Sequence, residues 1–199
     1  MFNYKFSKPI PDNRTSDLTD REFLLLIDYV LNNKIDSYLE IGVWHGVNVF
    51  KIANLCEVNN HECEIVGYDC FEEDPEDDNS HRSGWPAKEI AEKVTADYNN
   101  VSLVQGFVNE VNDKLENKKF DLVFHDANHA FQAVYDDLLA VKNLVKEGGL
   151  VVAHNSEADS VKLNYGAKSA IDKLIAEGHY KFHSRVDRST AITPCQNLS

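Results

Sequence analysis

The sequence predicts an α/β fold in which a doubly wound, mostly parallel, seven-stranded sheet lies in the middle of three layers. Five strand-like apolar runs alternate with segments of helical period, and this order favours parallel strands joined by right-handed crossovers. Two further strand-like runs, at 180–186 and 189–192, predict a closing antiparallel hairpin. At 199 residues and 43% hydrophobic content the chain can build one sizeable core, so we expect a single domain over 1–199.

Each element follows from a local signal. Thr19 opens a Thr-x-x-Glu capping box that Glu22 completes, and the apolar residues that follow repeat at helical spacing, which predicts a helix over 20–33. The predicted strands are 38–41, 64–69, 101–105, 120–126 and 150–154. The other predicted helices are 47–57, 86–98, a short one ending near 116, 129–145 and 166–177. Gly148 and Gly149 are expected to separate the 129–145 helix from the fifth strand.

The composition disfavours two classes of partner, nucleic acids and membranes. The formal net charge is −13, with 33 acidic and 20 basic residues, and this balance repels phosphate backbones and anionic membranes. No apolar run approaches the roughly 20 residues of a membrane span, and the first residues do not resemble a signal peptide. We expect a cytoplasmic protein without a nucleic-acid or membrane partner.

Two segments lack a regular pattern. Residues 1–17 are polar and contain two prolines, and we interpret them as an arm on the surface or on a partner subunit, the latter implying a homo-oligomer. Residues 71–84 crowd acidic side chains together, which predicts a mobile loop because like charges resist packing. This loop is interpreted as a lid over a cofactor, a surface for a cationic substrate, or simply a solvated loop.

The four cysteines do not form a disulfide framework, since they are few and dispersed. Cys56, Cys63 and Cys70 are evenly spaced with His61 among them. Cysteine and histidine are the usual ligands of zinc, so a zinc site is one interpretation. However, the three cysteines are predicted on a helix end, a strand start and a strand end, and no C-x-x-C occurs. The pattern therefore predicts buried, reduced thiols, with Cys195 separate.

The turn after the first strand is the strongest motif. It has the pattern E-x-G-x-x-x-G from Glu40 through Gly42 to Gly46, and a helix begins directly after it. Glycines here allow positive φ and a close approach to a ligand, and the free N–H groups of the helix face the same crevice. Trp44 excludes the G-x-G-x-x-G dinucleotide loop, and no Walker loop occurs. The turn predicts a cofactor cradle, although an ordinary strand-to-helix turn shares the pattern.

This pattern resembles the first motif of the class I S-adenosylmethionine-dependent methyltransferases, which have a Rossmann-like sheet. The resemblance implies that Glu40 polarises the methionine end of S-adenosylmethionine and that Gly42, Val43 and Gly46 underlie it. Asp69 ends the second strand, where its two oxygens can accept both ribose hydroxyls of an adenosine-containing cofactor. A strand-end Asp can equally be a turn former.

The adenine end of the site follows from the same resemblance. Cys70 lies next to the predicted ribose ligand Asp69 and is counted with the cofactor-binding residues. The positions after the third strand commonly meet the adenine in this family, which makes Gly106 and Phe107 candidate walls of the site. Phe107 could equally be a core residue.

The fourth strand leads into the second chemical motif. Asp126 and His129 are expected at its carboxyl end, where a carboxylate can raise the basicity of a neighbouring imidazole. The segment 120–134, with the later Gly148-Gly149, resembles macrocin-type O-methyltransferases and cephalosporin-hydroxylase-like proteins, and the resemblance covers about residues 36–155. It implies that Asp126 borders the cofactor and can hold a divalent metal, and that His129 is the general base.

One departure from that branch concerns the metal. Asn155 stands after the fifth strand, where the branch usually carries a carboxylate. Its carbonyl oxygen can bind Mg²⁺, but hard cations at such sites depend on carboxylates, so a requirement for Mg²⁺ stays open. His154 is a further candidate for base or ligand, or a residue that fills the crevice.

These observations predict an S-adenosylmethionine-dependent methyltransferase acting on a hydroxyl of a small molecule, with a sugar as one candidate. The first alternative is a cofactor-binding, catalytically inactive protein of the same fold with an interaction role. The second is another α/β enzyme, either a nicotinamide-dependent oxidoreductase, which Trp44 opposes, or a hydrolase, which the lack of G-x-S-x-G opposes.

Overall fold

The computed structural model describes residues 4–9, 18–71 and 87–195, which form the predicted α/β architecture. The sheet has seven strands in the order β3-β2-β1-β4-β5-β7-β6. The strands are β1 Ser37–Ile41, β2 Glu64–Asp69, β3 Val101–Gln105, β4 Phe120–His125, β5 Val145–Ala153, β6 Tyr180–Val186 and β7 Ser189–Pro194. β1 to β5 are parallel, while β7 is antiparallel to both β5 and β6, which confirms the predicted hairpin.

Helices cover both faces of the sheet, so the three predicted layers are confirmed. They are α1 Asp20–Asn32, α2 Val47–Val58, α3 Ala87–Thr95, α4 Val111–Lys114, α5 Phe131–Lys142 and α6 Ala167–Ala176. Short 3₁₀ turns occupy Val108–Glu110 and Val161–Leu163. One apolar core lies between the sheet and α1, α2 and α3, and the other between the sheet and α4, α5 and α6.

The winding reverses at β1. From β1 the chain moves outward to β2 and β3, and it then returns to place β4 on the other side of β1. In such sheets the crevice at the carboxyl ends of the two central strands is the usual ligand site. The ends of β1 and β4 are therefore where function is expected.

The predicted helix 129–145 was too long at both ends. Ala130 is extended and caps α5, which begins at Phe131 and ends at Lys142. Val145 already belongs to β5, where it pairs with Phe120 before the register shifts. The strand therefore runs through Gly148 and Gly149, which sequence reasoning had placed in a turn.

The capping box at the start of α1 is confirmed, and its residue Glu22 also contacts the turn between β6 and β7. Glu22 accepts the Thr19 backbone N–H, and the Thr19 hydroxyl accepts the Glu22 N–H in return. The other oxygen of Glu22 accepts from the Arg188 N–H and the Ser189 hydroxyl, each at 2.9 Å. The buried Glu22 side chain thus connects α1 to the turn between β6 and β7.

The described part of the N-terminal arm, residues 4–9, lies on the chain's own surface. Ser7 donates its backbone N–H to Asn54 in α2 at 2.9 Å, and Lys8 lies 3.4 Å from Asp97. The rest of the arm, Trp85, Pro86 and the predicted acidic lid at 72–84 lie outside the described residues. In the part of the chain that the structure describes, no helix combines the length and apolar character needed to cross a membrane.

Candidate active site

The glycine turn connects β1 to α2 as predicted, and its shape depends on both glycines. Gly42 has φ +89° and Gly46 has φ +77°, both in the left-handed region that favours glycine. A Cβ on Gly42 would lie 2.3 Å from the Asp126 carbonyl oxygen, so the loop after β4 passes directly against the turn. A Cβ on Gly46 would lie 3.2 Å from Ala91 in α3. The turn is therefore packed between the β4 loop and α3.

We expect Gly42→Ala to destabilise the protein by about 3 kcal/mol, because a positive φ and a backbone clash act together. Gly148→Ala is the matched control, since Gly148 has φ +76° but no described atom lies within 4 Å of the position that a Cβ would take there. That variant should lose only about 1 kcal/mol. Urea unfolding of both variants measures the difference. Equal losses would show that the contact with Asp126 does not constrain the turn.

Glu40 is buried at the end of β1 and has an unusual protonation equilibrium. The Tyr38 hydroxyl donates to its carboxylate at 2.8 Å, and Asn48 hydrogen-bonds to it from the first turn of α2. Burial, assisted by the charges of Asp126 and Asp69, raises the pKa of Glu40 to about 8 despite these two hydrogen bonds. A cationic group placed beside Glu40 would favour its ionised form.

The stability of the Glu40→Gln variant relative to the wild type should increase as the pH rises. The unfolded chain loses the Glu40 proton near the ordinary pKa of 4.5, whereas the folded protein retains it up to about 8. The free energy of unfolding therefore falls through this window, by up to about 1.4 kcal/mol per pH unit from this group. The Tm advantage of Glu40→Gln over wild type should grow across the same window in thermal melts. Glu92→Gln, on an exposed position of α3, is the control, and a constant advantage would contradict the assignment.

Asp69 ends β2 beside the turn and holds two loops in place. Its carboxylate accepts the backbone N–H of Trp44 at 2.8 Å and that of Phe71 at 2.7 Å. A carboxylate has about four acceptor positions, so these contacts leave capacity for a ligand. Asp69 therefore links the glycine turn to the start of the predicted lid.

The residues after β3 and β2 meet at one end of this crevice. The Gly106 N–H donates to the Asp69 carbonyl at 3.0 Å, and the Tyr68 hydroxyl donates to the Phe107 carbonyl at 2.8 Å. A Cβ on Gly106 would lie 2.3 Å from that hydroxyl, which explains the glycine. Cys70 is half-buried, and the Phe107 side chain is 44% exposed, so Phe107 is a surface wall and not a core residue.

Asp126 lies between two histidines after β4. Its Oδ1 atom is 2.8 Å from Nδ1 of His154 and 3.3 Å from Nε2 of His129. Burial opposes ionisation of Asp126, but the hydrogen bonds from His129 and His154 outweigh it and lower its pKa. His129 was predicted on the first turn of a helix, but it lies in the loop before α5. There its ring centroid is 4.8 Å from that of Tyr165.

On its buried side this cluster contacts Glu22, a residue that the sequence did not assign to the site. Nε2 of His154 lies 3.7 Å from Glu22, the capping residue of α1, and has no hydrogen-bond partner among the described residues. Burial would lower the pKa of His154, but the hydrogen bond to Asp126 and the charges of Asp126 and Glu22 raise it. Glu22 and Asp126 are 104 positions apart in the chain, and the capping-box motif of Glu22 points to a helix start and not to a role near a site.

The donor set does not fit Mg²⁺. Asn155, the predicted second ligand, directs its carbonyl oxygen to Nη1 of Arg188 at 3.3 Å, and its amide nitrogen lies 3.4 Å from Nε2 of His129. A guanidinium at that oxygen repels a cation, and Mg²⁺ prefers oxygen ligands, whereas two imidazoles flank Asp126. Asp126, His129 and His154 do place ligand atoms within 4.8 Å of one another, but two imidazoles suit zinc or iron better than magnesium.

The structure brings the predicted site residues together around one crevice. They follow the carboxyl ends of five neighbouring strands: Glu40, Gly42, Val43 and Gly46 at β1, Asp69 and Cys70 at β2, Gly106 and Phe107 at β3, Asp126 and His129 at β4, and Asn155 at β5. Glu40 and Asp126 are close enough for their charges to influence each other. Acidic side chains and an imidazole therefore lie along one edge of the sheet.

Comparisons with known proteins agree with this geometry. A family model described as a methyltransferase domain matches residues 39–156, more than half of the chain. A comparison with curated protein sequences found no match. The fold is similar to an SAH-bound methyltransferase from Podospora anserina at 19% identity, with a TM-score of 0.65 and coverage of 96% of this chain and 83% of that one.

Two further solved structures are similar. One is an O-methyltransferase from Bacillus cereus in complex with SAH, at 16% identity and a TM-score of 0.63, with 92% of this chain and 84% of that one covered. The other is the TDP-rhamnose 3′-O-methyltransferase of calicheamicin biosynthesis, at 21% identity and a TM-score of 0.59, with 85% and 77% covered. At these identities the structures establish the fold.

The doubly wound sheet with its closing hairpin, the glycine turn and the acidic strand ends define a class I methyltransferase fold. The chain belongs to the methyltransferase-domain family, and it is an S-adenosylmethionine-dependent methyltransferase.

Proposed function

We propose that the protein methylates a hydroxyl group of a small molecule, with His129 as the general base. The observation that carries the proposal is the Asp126–His129 pair, 3.3 Å apart between Oδ1 and Nε2, at the strand end adjoining the glycine turn. A hydroxyl is a weak nucleophile near neutral pH, so its methylation needs a group that removes the proton. An imidazole oriented by a carboxylate provides that group.

Glu40, Gly42, Val43, Gly46 and Asp69 would hold S-adenosylmethionine, with Cys70, Gly106 and Phe107 around the adenine and Asp126 on the border. The bound cofactor supplies an electrophilic methyl group on a sulfonium. Buried Glu40 fits a cationic ligand, because burial and the charges of Asp126 and Asp69 raise its pKa, and a positive charge beside it would favour the ionised form. The positive φ at Gly42 and its close contact with the Asp126 main chain would hold the turn in place beside the ligand.

The protein's own chemical step would be proton removal and alignment. With Nε2–H donated to the ionised Asp126 carboxylate, His129 would keep a lone pair on Nδ1 for the proton of the acceptor hydroxyl. The deprotonated oxygen would then be the nucleophile for the sulfonium methyl group, with SAH as the leaving group. Asp126 stays ionised, because its lowered pKa keeps it charged, and it stabilises the imidazolium that forms.

Two observations support a ring-containing small molecule as the acceptor: the aromatic residue beside His129 and the similar structures. The half-exposed Tyr165 ring beside His129 offers a surface on which a planar or sugar ring can pack. One similar structure is a TDP-rhamnose 3′-O-methyltransferase, which makes a sugar hydroxyl a reasonable first candidate. Because the donor set does not fit Mg²⁺, we propose transfer that does not require this ion.

Calorimetric titration with S-adenosylmethionine and SAH, with and without Mg²⁺, tests the cofactor site first. Methyl transfer from labelled cofactor to a panel of catechols and nucleotide sugars then tests the chemistry, with EDTA in a parallel series. We expect binding of both cofactor forms and transfer that survives EDTA. Absence of binding would overturn the cradle, and EDTA-sensitive transfer restored by Mg²⁺ would overturn the metal-free step. Binding with no transfer to any acceptor would favour an inactive cofactor-binding protein.

A further inference from the structure

A second cluster of ligating side chains lies at the opposite edge of the sheet, where the strands begin. Cys56 is in the last turns of α2, Cys63 directly precedes β2, and His61 is in the loop between them. One ligand atom from each of the three lies within 4.8 Å of those of the other two. The two thiols are near enough to hydrogen-bond. Cys56 and Cys63 are buried free thiols at a helix end and just before a strand, as predicted, and Cys70 stands apart at the far end of β2.

The backbone explains how the three side chains meet. The chain leaves α2 in a tight turn, in which the His61 N–H donates to the Cys56 carbonyl at 2.9 Å. This turn brings the chain back beside the helix end just before it enters β2. The Cys63 carbonyl accepts the side-chain amide of Asn100 at 2.9 Å, which fixes the entry into the strand. The cluster is thus held by main-chain contacts that do not depend on a ligand.

The imidazole of His61 has a hydrogen bond of the kind that metal-binding histidines make. Nε2 of His61 lies 2.7 Å from the Ile35 carbonyl, to which it donates. Metal-binding histidines usually donate their other ring N–H to such an acceptor, which fixes the tautomer. This arrangement leaves Nδ1 as the nitrogen with a free lone pair.

The size and chemistry of the cluster suit zinc. A tetrahedral zinc ion, with bonds of about 2.3 Å to sulfur and 2.0–2.1 Å to nitrogen, sets its ligand atoms about 3.5–3.8 Å apart. The three ligand atoms lie within 4.8 Å of one another, so small side-chain adjustments would bring them to that spacing. Two thiolates and one imidazole are borderline-soft donors that hard cations do not prefer.

The cluster is open to the outside on one side. His61 and Cys63 line a cavity of about 690 Å³ at this edge of the sheet. Five carboxylates also line it: Asp36, Glu57, Glu62, Glu64 and Asp97. Lys8, Lys118 and Lys146 contact four of these, so negative charge remains in excess and raises the local concentration of cations.

We propose that Cys56, His61 and Cys63 bind one Zn²⁺, with the fourth ligand position facing the cavity. Each thiol releases its proton as its sulfur binds, and the zinc stays divalent, so no oxidant or reductant is needed. The ion would join the end of α2 to the start of β2. Since α2 begins at the glycine turn, the ion would stabilise the cofactor cradle from the opposite end of the helix.

Cobalt and zinc titrations of the full-length chain, treated with chelator and kept reduced, test the site. We expect one equivalent of Co²⁺ to give thiolate charge-transfer bands and the visible bands of a tetrahedral ion, with Zn²⁺ displacing it. Loss of a residue that only hydrogen-bonds to a metal ligand lowers metal affinity about 10–100-fold. Loss of a ligand itself should lower it at least as much, so we expect this result for each of Cys56→Ser, Cys63→Ser and His61→Gln. Cys195→Ser, a half-buried cysteine elsewhere, should bind normally.

Three outcomes would overturn the proposal. The first is unchanged metal affinity in all three ligand variants. The second is loss of binding in Asp126→Asn with the cysteine variants intact, which would assign the ion to the active-site cluster. The third is a reduced protein that binds no Zn²⁺ while the oxidised protein contains a Cys56–Cys63 disulfide. Circular dichroism of each metal-free variant establishes that it is folded, and this test does not depend on methyl transfer.

Discussion

His129→Ala is expected to slow methyl transfer by about 100- to 10,000-fold while leaving the affinity for S-adenosylmethionine unchanged. The physical reason is that the variant removes the group that takes the acceptor proton, and the proposed cofactor contacts other than Asp126 lie at other strand ends. Single-turnover rates measured with the best acceptor found report the chemical step, and calorimetry reports the affinity. Added imidazole should restore part of the rate if the cavity left by the side chain admits it.

The control for this variant is His183→Ala, an exposed histidine on β6. It should retain full activity. Asp126→Asn should slow transfer as well, because the amide no longer carries the charge that orients and stabilises the His129 imidazolium. Full turnover in His129→Ala would refute the base assignment while leaving the cofactor site intact, and His154 would then be the remaining imidazole on Asp126.

Asp69→Ala is expected to weaken binding of SAH by about 100-fold or more. Hydrogen bonds to a charged acceptor contribute about 1.5–3 kcal/mol each, and the proposed ribose contact involves two hydroxyls. The variant also leaves the N–H groups of Trp44 and Phe71 without their acceptor, so the Tm should fall in the absence of ligand. Calorimetry and thermal unfolding measure the two effects separately.

Asp69→Asn distinguishes the two roles of this residue. It keeps one carbonyl oxygen for the loop contacts but loses the charge and half of the acceptor capacity. Its affinity for SAH should therefore lie between those of wild type and Asp69→Ala. Asp113→Ala, at an exposed position of α4, should bind SAH as wild type does. Normal binding by Asp69→Ala would show that the ribose contacts another residue.

Local patterns predicted most of the fold, because the signals used were local. The capping box at Thr19 and Glu22 located α1, and the glycine turn at Gly42 and Gly46 located the start of α2. Alternating strands and helices then implied a parallel sheet, and parallel strands bring their carboxyl ends to one edge. For this reason the sequence alone predicts that Glu40 and Asp69, at the ends of two parallel strands, lie along the same crevice.

The error at α5 and β5 has a physical cause. Val145 continues the helical period of α5, and Gly148-Gly149 has the composition of a turn. In the folded chain, pairing of Val145 with Phe120 and a register shift extend β5 through both glycines. A Cβ on Gly149 would lie 2.9 Å from the Asp121 carbonyl oxygen, so the neighbouring strand and not the local sequence requires glycine there.

The sequence by itself determined the class of fold, the glycine turn and the pairing of Asp126 with His129, since each depends on spacing along the chain. The tertiary structure decided which distant residues meet. It placed Glu22 beside His154 behind Asp126, directed Asn155 towards Arg188, and joined Cys56, His61 and Cys63 at the opposite edge. These contacts depend on how helices and the hairpin pack on the sheet, and packing of elements far apart in the chain leaves no periodic signal in the sequence.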